Sequence, residues 1–458
     1  MSTVLEPLTD GWLVGGAIRD RLLGRPVLDM DVVVEGDPEE AARSVAAAQR
    51  GPVFRLSEAF GAWRVISRDR RTTFDFSPLQ GATIEEDLSK RDFTVNAIAQ
   101  PLAGGPLIDP HGGERDVGER LLRVVGPQAY DHDPLRALRL VRLAAELGFH
   151  TEPETERLTR TAALRLSEPS PERVFAELRR LLMAEGCLAG LDLAERLGVL
   201  AAVLPELTAL HGVEQSHFHH LDVYRHTIEV LAQLVALDLR SAFGDLAPRV
   251  ESVLAEPLAD ELTRGEALRF GALFHDIGKP GTRGERGDGR ITFIGHDAAG
   301  EEIVGDIFRR LRSSERLRTY VAKLTREHLV LGFMVHDRPL SRRALHAYLR
   351  RCEPVEVEVT VLSCADRLAT RGEDQQPWIE AHLDLAREVM AAALEWREHG
   401  PPPPLLRGDE LAAELEVEPG PELGRLLREL EEAAYAGDVK DRDQALALAR
   451  ELRENPAR

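Results

Sequence analysis

Apolar positions along the chain change their period near residue 130. Before that point, short apolar runs alternate with polar and turn residues. WLVGG (12–16), VLDMDVVVEG (27–36), VFRLS (53–57), WRVISR (63–68), TTFDFSP (72–78) and LIDP (107–110) have the length and β-branched content of strands. AIRDRLLG (17–24) and PEEAARSVAAAQ (38–49) carry helical spacing between them. Beyond about residue 133 the strand signal disappears. Leu135, Leu138, Val141 and Leu143, then Leu178, Leu181 and Leu182, recur at the spacing of a buried helix face. The pattern predicts an α+β head, a mixed β-sheet with flanking helices, followed by all-α segments. Punctuation divides the chain into a head (1–132), a helical neck and body (133–210), a histidine-bearing all-α section (211–385) and a helical tail (386–458). The tail includes the stiff connector GPPPPLL at 400–406.

Composition narrows the class. With 458 residues the chain is too long for one ordinary core. It has no apolar run long enough to span a membrane, and the start MSTVLEPLTDGW has neither a basic nor an apolar leader region, so a cytoplasmic protein without membrane contact is expected. Cys187, Cys352 and Cys364 lack CxxC spacing and read as small core residues. A net charge of −20 argues against indiscriminate coating of nucleic acid but leaves room for a local basic stripe.

The candidate chemistry begins at LDMDVVVEGD (28–37). Strand alternation puts Leu28, Met30, Val32 and Val34 on one face and Asp29 and Asp31 on the other. Alone, two such acids suit a solvated edge strand. Just upstream, Gly15 and Gly16 sit at a strand-to-helix junction where the backbone can approach a phosphate closely, and Arg19 adds a positive charge one turn later. A phosphate cradle followed by two carboxylates on one strand face is what metal-dependent nucleotidyl transfer needs. Asp75, on the Thr73 face of TTFDFSP, is the candidate third acid.

GGAIRDRLLGRPVLDMDVVVEGD resembles the signature of class II tRNA nucleotidyltransferases, the CCA-adding enzymes, and of the related bacterial poly(A) polymerases. The likeness continues through EEDLSKRDFTVNAIA (85–99), LIDPHGGERDV (107–117) and DPLRALRLVRLAAELGF (133–149). It implies that Asp29 and Asp31 hold catalytic Mg²⁺ and that Gly15, Gly16 and Arg19 receive the triphosphate. Lys90, Arg91, Asp92 and Asn96 would line the ribose and phosphate side. Asp133 and Arg136 map onto the pair that reads the base edge of CTP and then ATP. Their i,i+3 spacing agrees with a shared helix face. The family usually has Glu before the template acid where this chain has His132. The segment FSPLQGATIEE between Asp75 and Asp87 is short, as in enzymes that add only the two cytidines.

A second constellation lies downstream. His226, His275–Asp276, His296, His328 and Asp366 in chain order resemble the HD superfamily of metal-dependent phosphohydrolases, and HDIGKP sharpens the likeness. Imidazoles and carboxylates suit a divalent transition metal. The resemblance assigns His226, His275, Asp276 and Asp366 to one metal, and His296 and His328 to a second metal or to the substrate phosphate. Lys279 is a candidate phosphate contact. It also implies hydrolysis of esters such as 2′,3′-cyclic nucleotides.

The expected macromolecular partner is tRNA. Arg136, Arg139 and Arg142, with Arg173, Arg179 and Arg180 on a later helix, are placed to bind nucleotide or track RNA phosphates. A CC-adding enzyme, a poly(A) polymerase and a non-catalytic RNA-binding or nucleotide-sensing protein remain as alternatives.

Overall fold

Two valine-rich strands decide where the first site opens. β1 (Gly11–Val14) leads into α1 (Gly16–Leu22), and β2 (Asp29–Val34) is followed by α2 (Pro38–Gln49). β3 (Val53–Ser57), β4 (Ala62–Ile66), β5 (Thr73–Pro78) and β6 (Ala99–Pro101) complete a six-stranded sheet of order β3-β4-β5-β2-β1-β6. Only β2 and β5 run parallel, which puts Asp29 beside Thr73 and Asp31 beside Asp75. Val32, Val34, Phe74 and Phe76 pack under α2, while Val14 and Val33 pack on the other face with Ile84 and Leu88 of α3 (Ile84–Ser89). Both faces are therefore sealed at the C-terminal half of β2, and its acidic N-terminal half lies at the open end.

The computed structural model describes residue 8 and residues 10–57, 61–215, 221–370 and 376–454. The chain divides into two compact units, 1–203 and 204–458. Two expectations for the head are corrected. Leu28, assigned to the core side of β2, is 51% exposed, because it precedes the strand and lies where the covering layer has ended. LIDP contributes only an isolated bridge, Ile108 to Ala99, and the edge strand is instead β6, a three-residue segment ending in Pro and too short to stand out by alternation.

The rest of the first unit is helical: α4 (Gln128–His132), α5 (Arg136–Leu147), α6 (Pro153–Ala163), α7 (Pro171–Met183) and α8 (Cys187–Arg196). The leucines that set the helical period in 135–182 are all buried. α5, α7 and α8 approach so closely that a side chain at Gly190 would meet Leu181 at 2.6 Å and Ala145 at 2.8 Å.

In the second unit, α9 (Val223–Val235), α10 (Arg264–Phe274), α11 (His296–Arg310), α12 (Glu315–Glu327), α13 (Arg342–Cys352), α14 (Glu356–Ala369) and α15 (Gln376–His399) surround the histidine cluster. α15 runs unbroken through residue 385, where punctuation had suggested a division, because Leu385, Ala386 and Val389 continue one buried stripe. α16 (Gly408–Leu415), α17 (Pro421–Ala436) and α18 (Arg442–Glu454) build their own apolar cluster around Leu411, Leu426 and Ala445. α17 is tied to α13 by Arg343 with Glu432 at 2.8 Å and by His346 Nε2 to Glu431 at 2.9 Å, and Asp438, just past α17, meets Arg343 at 2.8 Å. All three cysteines are buried, as expected of core residues.

α14 carries two buried carboxyls. Glu358 pairs with Arg264, whereas Glu356 Oε2 is buried without a hydrogen bond. Burial pushes Glu356 up to about 7. A carboxyl raised in the folded state costs stability as pH climbs from about 4.5 to 7, because the unfolded chain releases that proton first. Glu356→Gln should therefore gain about 3–4 kcal/mol over the parent at pH 8 and almost nothing at pH 4, at roughly 1.4 kcal/mol per pKa unit. Denaturant unfolding at the two pH values checks this.

Candidate functional site

The first unit has a cleft of about 570 Å³ lined by Gly15, Gly16, Arg19, Asp29, Asp31, Lys90, Arg91, Asp92, Asn96, Arg136, Arg139 and Arg142. The sequence therefore named most of its wall. Gly15 has φ +73°, and a side chain there would lie 3.1 Å from Arg91 Nη1 and 3.3 Å from Asp31 Oδ2. Glycine is needed because carboxylate and guanidinium crowd that turn. Asp29 and Asp31 expose their carboxylates to the cleft. The protein packed around Asp31 raises its pKa against the pull of Arg91, with Asp75 and Asp29 adding like charge. Two hard oxygen donors with excess negative charge on one strand fit Mg²⁺.

Asp75 sits beside Asp31 as register requires, yet both its oxygens are engaged. Arg64 Nε donates to Oδ1 at 2.7 Å and Nη2 to Oδ2 at 2.6 Å. Asp75 thus stands beside Asp31 as the partner of an ion pair with Arg64. The sequence reading missed Arg64 because the contact depends on the antiparallel pairing of β4 with β5.

A polar chain backs the cleft. Arg19 Nη1 donates to Asn96 Oδ1 at 2.7 Å, and Asn96 Nδ2 donates to Asp92 Oδ1 at 3.0 Å. Arg139 Nη1 donates to Asp92 Oδ2 at 3.3 Å, and its Nε donates to Glu177 Oε1 at 3.0 Å. Burial would raise the Asp92 carboxyl, but Arg139, Asn96 and Arg136 outweigh it and hold it below the ordinary range. Arg142 pairs with Glu177 and Glu146, and Arg180 donates to Glu146 at 3.0 Å. These arginines, expected to face nucleotide or RNA phosphates, have carboxylate partners inside the unit. Glu177 comes from α7 and carried no signal in the sequence. Asp87, also missed, holds Arg91 at 3.2 Å, and its i,i+4 spacing in EEDLSKR was the available clue.

Asp133 and Arg136 do not share a helix face. Asp133 is the extended residue ending α4, and Arg136 begins α5. Pro134 and the break between helices set this arrangement. Arg136 enters the cleft, its Nη1 donating to Arg91 O at 3.0 Å and Nη2 to Lys90 O at 2.8 Å, while its buried Nε has no hydrogen bond. Arg173 of α7 donates to Asp133 Oδ2 at 2.5 Å, and the Leu135 amide donates to Oδ1 at 3.2 Å. The brace that His132 does not supply therefore comes from Arg173.

In the second unit, four imidazoles and two carboxylates converge. Asp276 Oδ2 is 3.2 Å from His275 Nε2 and 3.7 Å from His226 Nε2, and Oδ1 is 3.4 Å from His296 Nε2 and 3.7 Å from His328 Nε2. His226 Nε2 lies 3.0 Å from Asp366 Oδ1. The Nδ1 atoms of His275, His296 and His328 point at the carbonyls of Ala272, Phe293 and Thr325 at 2.8, 2.6 and 2.7 Å. Nδ1–H donation to those carbonyls directs each Nε2 lone pair at Asp276. His226, His275 and Asp276, and separately Asp276, His296 and His328, are close enough to hold an ion each. The buried Nε2 of His275 makes no hydrogen bond, as suits a metal ligand. Burial drives His328 down to about 3, and Asp276 is held well below the carboxylate range against burial by His275 and Lys279. Lys279 Nζ is 2.6 Å from Asp276 Oδ2.

The fold and these two constellations define a nucleotidyltransferase head joined to a metal-binding HD unit. Residues 11–123 match the family described as "Poly A polymerase head domain", 148–210 "Probable RNA and SrmB- binding site of polymerase A", and 223–371 "HD domain". The A-adding tRNA nucleotidyltransferase of Deinococcus radiodurans is 39% identical over 95% of this chain and 94% of its own, and the CC-adding enzyme of Thermus thermophilus is 38% identical over 96% and 93%. The multifunctional CCA protein of Verminephrobacter eiseniae is 35% identical over 93% and 98%. A solved apo CCA-adding enzyme shares the fold with a TM-score of 0.64 at 21% identity, covering 97% of this chain and 91% of that one. The chain belongs to the tRNA nucleotidyltransferase family. No described helix is long and apolar enough to cross a membrane.

Because Asp276 touches every histidine of the cluster, Asp276→Ala should weaken binding of a divalent transition metal by at least about tenfold. Calorimetric titration with Ni²⁺ or Co²⁺, with circular dichroism as a folding control, measures it.

Proposed function

We propose that the head of this chain rebuilds the 3′ end of tRNA from CTP and ATP, and that the HD unit hydrolyses phosphate esters at a separate centre. The observation that carries the first part is the cleft itself, where Asp29 and Asp31 open beside Gly15, Arg19 and Arg91. In the transfer, the tRNA 3′ oxygen attacks the α-phosphorus, the bond to the β-phosphate oxygen breaks, pyrophosphate departs and the hydroxyl proton is released. Asp29 and Asp31 would hold Mg²⁺, whose charge favours deprotonation of the attacking hydroxyl and departure of pyrophosphate. Arg19 and Arg91 bind the triphosphate. Arg136, on the cleft wall, reads the base together with Asp133.

At the HD centre, His226, His275, Asp276 and Asp366 would hold one divalent metal, and His296 and His328 a second or the phosphate. A divalent metal held there would supply a water acidic enough to attack phosphorus near neutral pH. Lys279, buried at the cluster, balances the added negative charge. We assign the head to 1–132, the neck to 133–210 and the HD section to 211–385, with α15 running on from it into the tail.

A second reading, addition of the two cytidines only, is favoured by the link between β5 and α3, where residues 79–83 leave no length for a mobile loop. Identity to the A-adding and CC-adding relatives, 39% and 38%, does not separate these outcomes. The poly(A) polymerase and non-catalytic alternatives give way to relatives that match along nearly the whole chain.

The test offers tRNA lacking CCA with CTP alone or CTP plus ATP, and tRNA ending in CC with ATP alone. A full CCA end is the expected product; stopping after two cytidines establishes the second reading, and addition only to the CC end gives an A-adding enzyme. Asp31→Ala should lower incorporation at least about a thousandfold, near 4 kcal/mol, and survival of activity sinks the metal assignment. Asp276→Ala should remove cyclic-nucleotide hydrolysis and spare addition.

A further inference from the structure

We infer that the cavity beside the HD cluster selects nucleotides by their base, with Trp378 as the stacking surface. For hydrolysis this rests on the phosphohydrolase reading of the cluster; for binding it does not. The cavity measures about 470 Å³, and its wall includes Asp276, His226, His296 and His328 together with Trp378 and His336. That is the size of a small-molecule site, far larger than a bare phosphate requires.

Trp378 is 52% exposed, an unusual state for so large an apolar ring, and it stands on the wall of a cavity rather than on a convex surface. Its position is built. It lies one helical turn before His382 on the same side of α15, and His382 Nε2 is 3.0 Å from Ser363 Oγ of α14. The buried His382–Ser363 contact pins the helix bearing Trp378 to the helix bearing Asp366. The Trp378 and His336 rings are 6.2 Å apart at 60°, which forms a corner rather than a sandwich. A base stacked on the indole would meet the imidazole at its edge, so the indole supplies area and the imidazole a polar contact. Arg367, next to Asp366 in the same cavity, adds the cation that an anionic ester favours. Ligands for a phosphate and an aromatic face for a base on the wall of one cavity describe a mononucleotide.

The experiment compares 2′,3′-cyclic AMP with glycerol 1,2-cyclic phosphate, which has the same reacting ring and no base, on the full chain supplied with metal. Trp378→Ala should raise KM for the nucleotide about tenfold and leave the base-free ester unchanged, whereas Trp378→Phe should keep most of the nucleotide affinity. Equal KM values for the two esters in the parent, or no change in Trp378→Ala, overturn the inference while leaving the phosphohydrolase reading intact. Should neither ester be cleaved, that reading falls, and quenching of tryptophan fluorescence by AMP decides the inference alone. Quenching that disappears in Trp378→Phe supports it; absent quenching, or quenching that persists through the other tryptophans, overturns it.

Discussion

Asp92 is the buried charge on which the first unit is assembled. Its carboxylate accepts from the Phe93 amide, from Asn96 and from Arg139, and so joins the head segment KRDFTVNA to helix α5, while Glu177 on α7 holds the far side of the same arginine. An isolated carboxylate at that depth would be prohibitively costly, and an arginine there without its acids equally so. The two are stable only together. That mutual requirement fixes the helical neck against the sheet and, through Asn96 and Arg19, the wall of the nucleotide cleft.

The same constraint explains why so acidic a chain can present a basic-looking helix without a free basic surface. Arg139, Arg142, Arg173 and Arg180 each meet an acid from another turn or another helix. Some of these pairs are buried and act as scaffold; the exposed ones are worth little individually. Arg136 differs, since its guanidinium donates to the backbone carbonyls of Arg91 and Lys90 rather than to an acid.

The HD unit solves the opposite problem. There several acceptors converge with little opposing charge: Asp276 lies among four imidazole nitrogens, and three of those rings are turned inward by carbonyls one turn away. Hydrogen bonding to Nδ1 costs the fold little because each carbonyl belongs to the same local segment as its histidine. What it achieves is an electron-rich centre whose natural complement is a cation. Lys279 occupies part of that role beside Asp276.

The order of elements, the two-faced β2, the leucine-bearing neck helices and the membership of most cleft and cluster residues were legible in the primary structure, because strand and helix periods are local and because glycine, acid and histidine motifs keep their spacing. Local spacing could not say who pairs with whom. Asp75 looked like a free acid until β4 brought Arg64 beside it, Asp133 looked helical until the gap between two helices separated it from Arg136, and the basic stripe looked open until Glu177 and Glu146 closed on it. Trp378 was silent in the sequence because an exposed aromatic has no period. These matters belong to contacts between residues far apart along the chain, and only the packed tertiary structure sets their distances and charges.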